Sequence, residues 1–293
     1  MITAIGEALV DEFPDSRQVG GAPLNFAVHV HHLGFPVRFV TRLGEDESGR
    51  LILDTMKRHG LDTSGVQTDA QRPTGTVRVR LSQGGSPAYD IVADAAYDAI
   101  APPKGIEDSR LVYYGTLAQR TAQGFENIQQ TLRMLPEAAV RFMDINLRPG
   151  NYQQRTVEAS LSQTELLKLS QEELDTLGAT LFPQSPAREL PRALMDRFDI
   201  REILLTCGPE GAAHLTRQGA ADRVPAAPVP RIVDTVGAGD AFAAVWVVGW
   251  LKGVPPGRCL TAAAAFAAHI CGLPGALPTD LSCYRRISQM LGD

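Results

Sequence analysis

The feature that most limits what this chain can fold into is an alternation at its start. Residues 1–8 alternate weakly between apolar and polar and run into Gly6 and the acids Glu7, Asp11 and Glu12, which suits a first core strand with charge at its end. After Gly20-Gly21, residues 22–33 carry Leu24, Ala27, Val28 and His31 at helical spacing. Pro23 suits the first turn and Gly34 the stop. Residues 37–41 read as a short β-branched strand, and 48–59 as a second helix closed by Gly60. The order β-α-β-α predicts a parallel sheet with helices on its faces.

The pattern then breaks. From 74 to 92 the residues Thr76, Val77, Val79 and Leu81 alternate, and Gln83-Gly84-Gly85-Ser86-Pro87 leads to a second strand around 89–92 with no helix between. That is a hairpin, expected to pair with residues near 13–19 as a small separate sheet over the strand ends. Such a cover, drawn from about 12–19 and 73–98, acts as a lid where water must be kept from a reactive phosphoryl group. The alternation resumes with strands at 111–114, 140–145, 165–169 and 203–206 and helices at 125–135 and 187–198. Ser170-Gln171-Glu172-Glu173 forms a capping box at another helix start. Helices over 241–251, 255–271 and 281–291 finish one unit spanning 1–293, with no internal repeat.

A net charge of -5, from 28 basic and 33 acidic residues, leaves no electrostatic footprint for nucleic acid or an anionic membrane. A small-molecule ligand fits better. No window reaches the ~20 apolar residues of a membrane span, and no early basic-apolar leader is present, so a cytoplasmic protein is expected. Cys207, Cys259, Cys271 and Cys283 are too widely spaced for a zinc ribbon or a dithiol centre and are expected to be reduced and mostly buried. His29, His31 and His32 have no nearby carboxylate or cysteine to complete a metal site and are expected to be packed or at the surface.

The stretch Asp234-Thr235-Val236-Gly237-Ala238-Gly239-Asp240-Ala241-Phe242 stands apart: glycines and acids run straight into an apolar, Ala-rich helix. A loop that ends in a helix N-terminus presents unpaired N–H groups and the positive end of the dipole, and Gly237 and Gly239 allow close approach to the backbone. That is an anion site. Asp240 at its mouth has two readings, a helix cap or a base that takes a proton from whatever attacks a bound phosphate. The polar residues predicted at strand C-terminal ends, Glu7 to Asp11, Asn146, Arg148, Thr206 and Gly208, should share one sheet edge with this loop. Together they offer a base, an anion cradle, a balancing cation in Arg148, and in Asp11, Asn25 and Glu173 groups for hydroxyls or for Mg²⁺ through water. Phosphoryl transfer to a hydroxyl fits this set. There is no G-x-x-x-x-G-K-[ST], no dinucleotide fingerprint, and no protein-kinase H-R-D or D-F-G.

Asp-Thr-Val-Gly-Ala-Gly-Asp-Ala-Phe resembles the C-terminal signature of the ribokinase-like (PfkB) carbohydrate kinases, and Gly20-Gly21-Ala22-Pro23-Leu24-Asn25-Phe26-Ala27 resembles their N-terminal one. Gly6-Glu7 with Asp11, Asp144-Ile145-Asn146-Leu147-Arg148 and Thr206-Cys207-Gly208-Pro209-Glu210-Gly211 follow the family's order. The resemblance implies a Rossmann-like central parallel sheet with a small β-sheet lid, ATP as donor, Mg²⁺, and often K⁺ near the anion loop. It implies Asp240 as base, with Gly237, Ala238 and Gly239 holding the transferring charge. Asp11, Gly20, Gly21, Asn25 and Arg148 would face the sugar. Asn146, Ser170, Glu173, Thr206, Gly208 and Gly211 would line the nucleotide side, and Asp234 and Glu173 would serve metal ions. Gly-Gly-Ala-Pro followed by Asn is most like fructokinases, so fructose is the expected acceptor. Kinases of 2-keto-3-deoxygluconate, another ketose, ribose or a nucleoside are the alternatives, and a catalytically silent sugar- or nucleotide-binding regulator is the reading from another class. Two departures stand out: residues 89–98 do not match the Arg-Asn-Pro-Ser-Ala-Asp stretch of typical fructokinases, and Ser170 replaces the Asn of Asn-x-x-Glu. The lid's edge strands offer a route to a homodimer.

Overall fold

The computed structural model describes residues 1–81, 87–219 and 221–292. The chain begins with β1 (Ile2–Ile5), β2 (Leu9–Glu12), β3 (Arg17–Gly20), α1 (Ala22–His32), β4 (Val37–Gly44), α2 (Glu47–Arg58) and β5 (Val66–Asp69). It continues through β6 (Gly75–Leu81), β7 (Pro87–Ile91), β8 (Leu111–Tyr114), α3 (Ala122–Arg133), β9 (Val140–Asp144), α4 (Gln154–Leu161), β10 (Leu166–Ser170) and α5 (Gln171–Leu181). The last third holds α6 (Leu190–Phe198), β11 (Glu202–Thr206), β12 (Ala212–Thr216), β13 (Ala221–Val224), α7 (Ala238–Leu251), α8 (Pro256–Cys271) and α9 (Ser282–Leu291).

Nine strands form one sheet in the order β13-β12-β11-β10-β9-β8-β1-β4-β5, parallel from β11 to β5. The alternation of apolar strands and amphipathic helices therefore gives the expected parallel sheet. Its central strands are buried on both faces, as in Leu111-Val112-Tyr113-Tyr114, because helices cover both sides. Side chains of one strand divide between two cores: Tyr113 joins Phe26, Trp246 and Phe266 on the side of α1, α7 and α8, whereas Val112 and Tyr114 join Ile128, Val157 and Leu194 on the other. Residues 240–249 of α7 are all buried, so this helix, apolar almost all round, is enclosed by the sheet, α1 and α8. Trp246 is 0% exposed, and truncating such a side chain to alanine costs ~3–5 kcal/mol.

The structure corrects several expectations. The antiparallel pair β12 and β13 extends the sheet beyond β11, although the sequence reading had placed no strand there. β12 is short and interrupted by His214, and β13 is half exposed, so neither carries the apolar run that marks the inner strands. The small sheet runs β3-β2-β6-β7, and the hairpin pairs in parallel with Leu9–Glu12 rather than with residues near 13–19. Of the latter, only Arg17–Gly20 is strand, on the far side of β2. The turn through Gln83, Gly84, Gly85 and Ser86 lies outside the described residues. Only Cys259 among the four cysteines is buried; the others are partly exposed. Helix α6 is preceded by a 3-10 turn over Ala187–Glu189, so the expected 187–198 helix is two elements. Among the described residues no helix is long and apolar enough to cross a membrane.

Candidate active site

Helix α7 begins at Ala238, three residues earlier than its apolar run suggests, so Ala238, Gly239 and Asp240 form its first turn. Gly237 is the N-cap at φ +78°, and a Cβ there would lie 2.7 Å from the Cα of Ala276. Only glycine fits that conformation and that contact. The Ala238 N–H donates to the Thr235 carbonyl oxygen at 3.3 Å, closing the turn that feeds the helix. The Asp234 carboxylate accepts from the Val236 N–H (3.0 Å) and the Gly275 N–H (3.3 Å), tying the loop to the chain beyond α8.

Asp240 does not cap its helix. Its Oδ2 accepts from the Nδ2 of Asn25 at 2.8 Å, a contact across 215 positions that joins the first turns of α7 and α1. The carboxyl is buried, and burial, reinforced by the nearby Asp144, lifts its pKa to about 6; Asn25, Lys168 and Arg148 oppose that rise. It is thus ionised at neutral pH while remaining close enough in pKa to accept a proton from an attacking hydroxyl.

Around Asn25 the chain is tightly constrained. Gly21 is the N-cap of α1 at φ +116°, and a Cβ there would meet the Glu7 carbonyl oxygen at 2.5 Å. At Gly20 a Cβ would meet Asp11 Oδ2 at 2.9 Å, which puts Asp11 over the glycine pair. Asp11 is not at an end of the main sheet but within β2 of the small one. Burial, and then Asp234, raise its pKa to about 6, while Arg148 pulls it back. The exposed Arg148 follows β9 and acts electrostatically on Glu7, Asp11 and Asp240 together. Glu7, Asp11, Arg148 and Asp240 thus lie within electrostatic reach of one another, with Asp11 contributed by the small sheet and not by a strand end of the main one.

The expected nucleotide-side residues serve the framework in traceable ways. Asn146 holds φ +46°, a left-handed conformation that Asn tolerates better than most residues. Its carbonyl oxygen and that of Ile145 accept from the Thr116 hydroxyl at 3.2 and 2.9 Å. Ser170 caps α5 with Glu173 in the predicted reciprocal box. Glu173 also accepts from the Leu147 N–H at 2.8 Å, so a single carboxylate clamps the loops after β9 and β10. The Thr206 hydroxyl reaches the Leu169 carbonyl oxygen only at 3.5 Å. Gly208 (φ +52°) sits in the turn after β11, where no neighbour would meet an added Cβ within 4 Å. Gly211 (φ +101°) is explained by its conformation and by the Val224 carbonyl oxygen, which an added Cβ would strike.

Sequence reasoning missed Lys168 and Tyr113. Lys168 Nζ donates to both oxygens of Asp144 (2.9 and 2.8 Å), and Asp144 Oδ2 also accepts from the Tyr113 hydroxyl (2.9 Å). A signal was available: one lysine interrupting the apolar run Leu166-Leu167-Lys168-Leu169. The histidines took a structural role. His29 is buried with Nδ1 2.8 Å from the Tyr284 hydroxyl, and His32 lies 3.0 Å from a ring nitrogen of His59.

Comparison with known proteins places this arrangement. The fructokinase of Klebsiella pneumoniae is 29% identical over 288 residues, covering 92% of this chain and 91% of its own. The ribokinase of Arabidopsis thaliana is 28% identical over 269 residues, covering 89% and 69%. The crystal structure of fructokinase with bound ATP from Xylella fastidiosa superposes with a TM-score of 0.85 at 25% identity, covering 100% of this chain and 99% of that one. The profile of the pfkB family carbohydrate kinases matches residues 7–281. With the anion loop, its buried carboxylate and the paired glycines all inside that match, the chain belongs to the pfkB family and is an ATP-dependent sugar kinase.

Proposed function

We propose that the protein transfers the γ-phosphoryl group of ATP to a primary hydroxyl of fructose, with Asp240 as the general base. The observation that carries this reading is the Asn25–Asp240 contact. It fixes a buried, ionisable carboxylate beside the amides that open α7, where an attacking hydroxyl and a phosphoryl group would meet. In this mechanism a sugar enters under the small sheet against Asp11, Gly20, Gly21, Asn25 and Arg148. Asn25 holds the Asp240 carboxylate so that one oxygen stays directed at the acceptor hydroxyl. As the new O–P bond forms and the bond to the β–γ bridging oxygen breaks to release ADP, Asp240 takes the hydroxyl proton and the amides of Gly237, Ala238 and Gly239 stabilise the equatorial oxygens. Asn146, Ser170, Glu173, Thr206, Gly208 and Gly211 line the nucleotide side.

Glu173 uses one lone pair on each oxygen for a backbone N–H, which leaves acceptor capacity for an ion's water shell. Mg²⁺ brought by the nucleotide would be held there through water, and when bound it neutralises phosphate oxygens. Asp234, braced between Val236 and Gly275, is the residue through which K⁺ would act on the loop.

Fructose is favoured by Gly-Gly-Ala-Pro followed by Asn and by the Klebsiella relative. Two measurements test the reading. Asp240→Asn should lower kcat ~100-fold or more with folding intact, and near-normal turnover would refute the base assignment. A competition panel of fructose, ribose, 2-keto-3-deoxygluconate and adenosine should give the highest kcat/KM for fructose; a higher value for another acceptor reassigns the substrate.

A further inference from the structure

We propose that Lys168 is a catalytic cation of this kinase, its ammonium reaching an oxygen of the transferring phosphoryl group from beneath the anion loop. The proposal rests on the reading that the first turn of α7 holds that group.

Lys168 is 7% exposed and sits in β10, in direct register with Asp144 of β9. Burying an ammonium costs several kcal/mol unless it is well paired, and Asp144 pairs it through both oxygens. The Tyr113 hydroxyl of β8 braces Asp144, and the Tyr113 ring stacks on Phe26 at 3.8 Å between centroids, next to Asn25. Three adjacent strands thus hold one ammonium in place. Packing alone does not call for such a device, since buried ion pairs replaced by apolar residues of similar volume often leave stability unchanged or improved.

Position supplies the reason. A Cβ built on Gly239 would lie 3.2 Å from Lys168 Nζ and 3.7 Å from its Cε, so the ammonium lies directly against the loop residue whose amide faces the anion. An ammonium has three N–H donors, and two are taken by Asp144, leaving one without an acceptor among the described residues. Burial alone would lower its pKa, but Asp144 and then Glu173 outweigh that and hold it above its usual range, so the charge persists. Asp144 and Asp240 already concentrate negative charge here, and a phosphoryl group adds more. Arg148, the other cation acting on Asp240, is exposed and therefore screened by solvent, whereas Lys168 is buried. Lys168 completes the cage from within the protein.

The test separates a catalytic role from mere neutralisation of Asp144. Lys168→Met should lower kcat ~100-fold or more. Because it strands a buried carboxylate and can fail to fold, the double variant Lys168→Met/Asp144→Asn carries the decision. If Lys168 meets the phosphoryl group, the double variant recovers a wild-type melting temperature, but its turnover stays down and its preference for a non-hydrolysable ATP analogue over ADP, read by calorimetry, falls ~10-fold or more. Turnover within threefold of wild type, or an unchanged preference, overturns the proposal. Asp240→Asn, measured alongside, should lose turnover and keep that preference. Normal turnover in that variant sinks the base assignment and leaves the Lys168 result to be judged on nucleotide preference alone.

Discussion

Helices α1 and α7 start in the same way and do different things with it. Each opens at a glycine N-cap with positive φ, Gly21 at +116° and Gly237 at +78°, and neither N-cap supplies a side-chain acceptor. Both are therefore anion sites in principle. At α1 the protein fills the site itself: the buried Glu7 carboxyl lies beside the Ala22 N–H, which partly offsets the rise in its pKa caused by burial. At α7 the acid of the first turn, Asp240, turns away from its own helix to Asn25, and Lys168 lies underneath. The first helix start is internal framework that aims Asn25. The second has no side-chain cap, and its own acid is engaged elsewhere. A glycine pair before a helix is thus no guide by itself to which anion the helix receives; the side chains brought to it from elsewhere decide.

The comparison can be broken at its glycines, and the largest effect belongs to α1. Gly21→Ala meets the Glu7 backbone oxygen at 2.5 Å in a conformation that alanine disfavours. It should cost more than ~3 kcal/mol, visible as loss of cooperative thermal unfolding or of soluble protein. Unchanged stability would mean that α1 is not framework. Gly239→Ala should behave in the opposite way. Gly239 has no positive φ and its nearest neighbour is the flexible end of Lys168, so the melting temperature should hold. The methyl displaces the ammonium, and turnover should fall ~10-fold. Loss of folding in that variant would erase the distinction between the two helix starts.

A smaller effect sharpens the contrast through pH. Burial raises Glu7 from 4.5 to about 7, so the folded protein holds a proton that the unfolded chain releases. The corresponding stability is fully present below pH 4.5 and is lost as pH rises through about 7, a term on the order of 3 kcal/mol. Glu7→Gln should flatten this part of the stability-pH curve, read as melting temperature between pH 5 and 8. An equally steep curve in the variant would place the buried proton elsewhere.

Much of the fold was legible because local chemistry wrote it. Helix α1 is announced by Pro23 and Gly34, α5 by its capping box, and β8 to β11 by apolar runs too short for helices. What failed to show was chosen by tertiary pairing. Leu9–Glu12 reads as the tail of the first strand, yet the chain bends at Gly6, where a Cβ would strike Pro23, and β2 joins the other sheet. The anion loop could be read from its glycines and acids because its chemistry lies in consecutive residues. The lysine in an apolar run marked Lys168 as unusual, but its pairing with Asp144 and Tyr113, like the Asn25–Asp240 bond, could not be read, since each depends on strand register or on a contact between distant segments.

The Asn25–Asp240 bond also has a consequence for synthesis. Its donor lies in the first tenth of the chain and its acceptor in the last fifth. A nascent chain carries β1, α1 and most of the strands of the parallel sheet as it emerges, but the partner that holds Asn25 arrives only with α7. Until then Asn25 lacks its side-chain partner, and the core on the α1 side of the sheet lacks the buried helix that fills it. Premature termination anywhere before Asp240 leaves a fragment without the contact that joins the two helix starts.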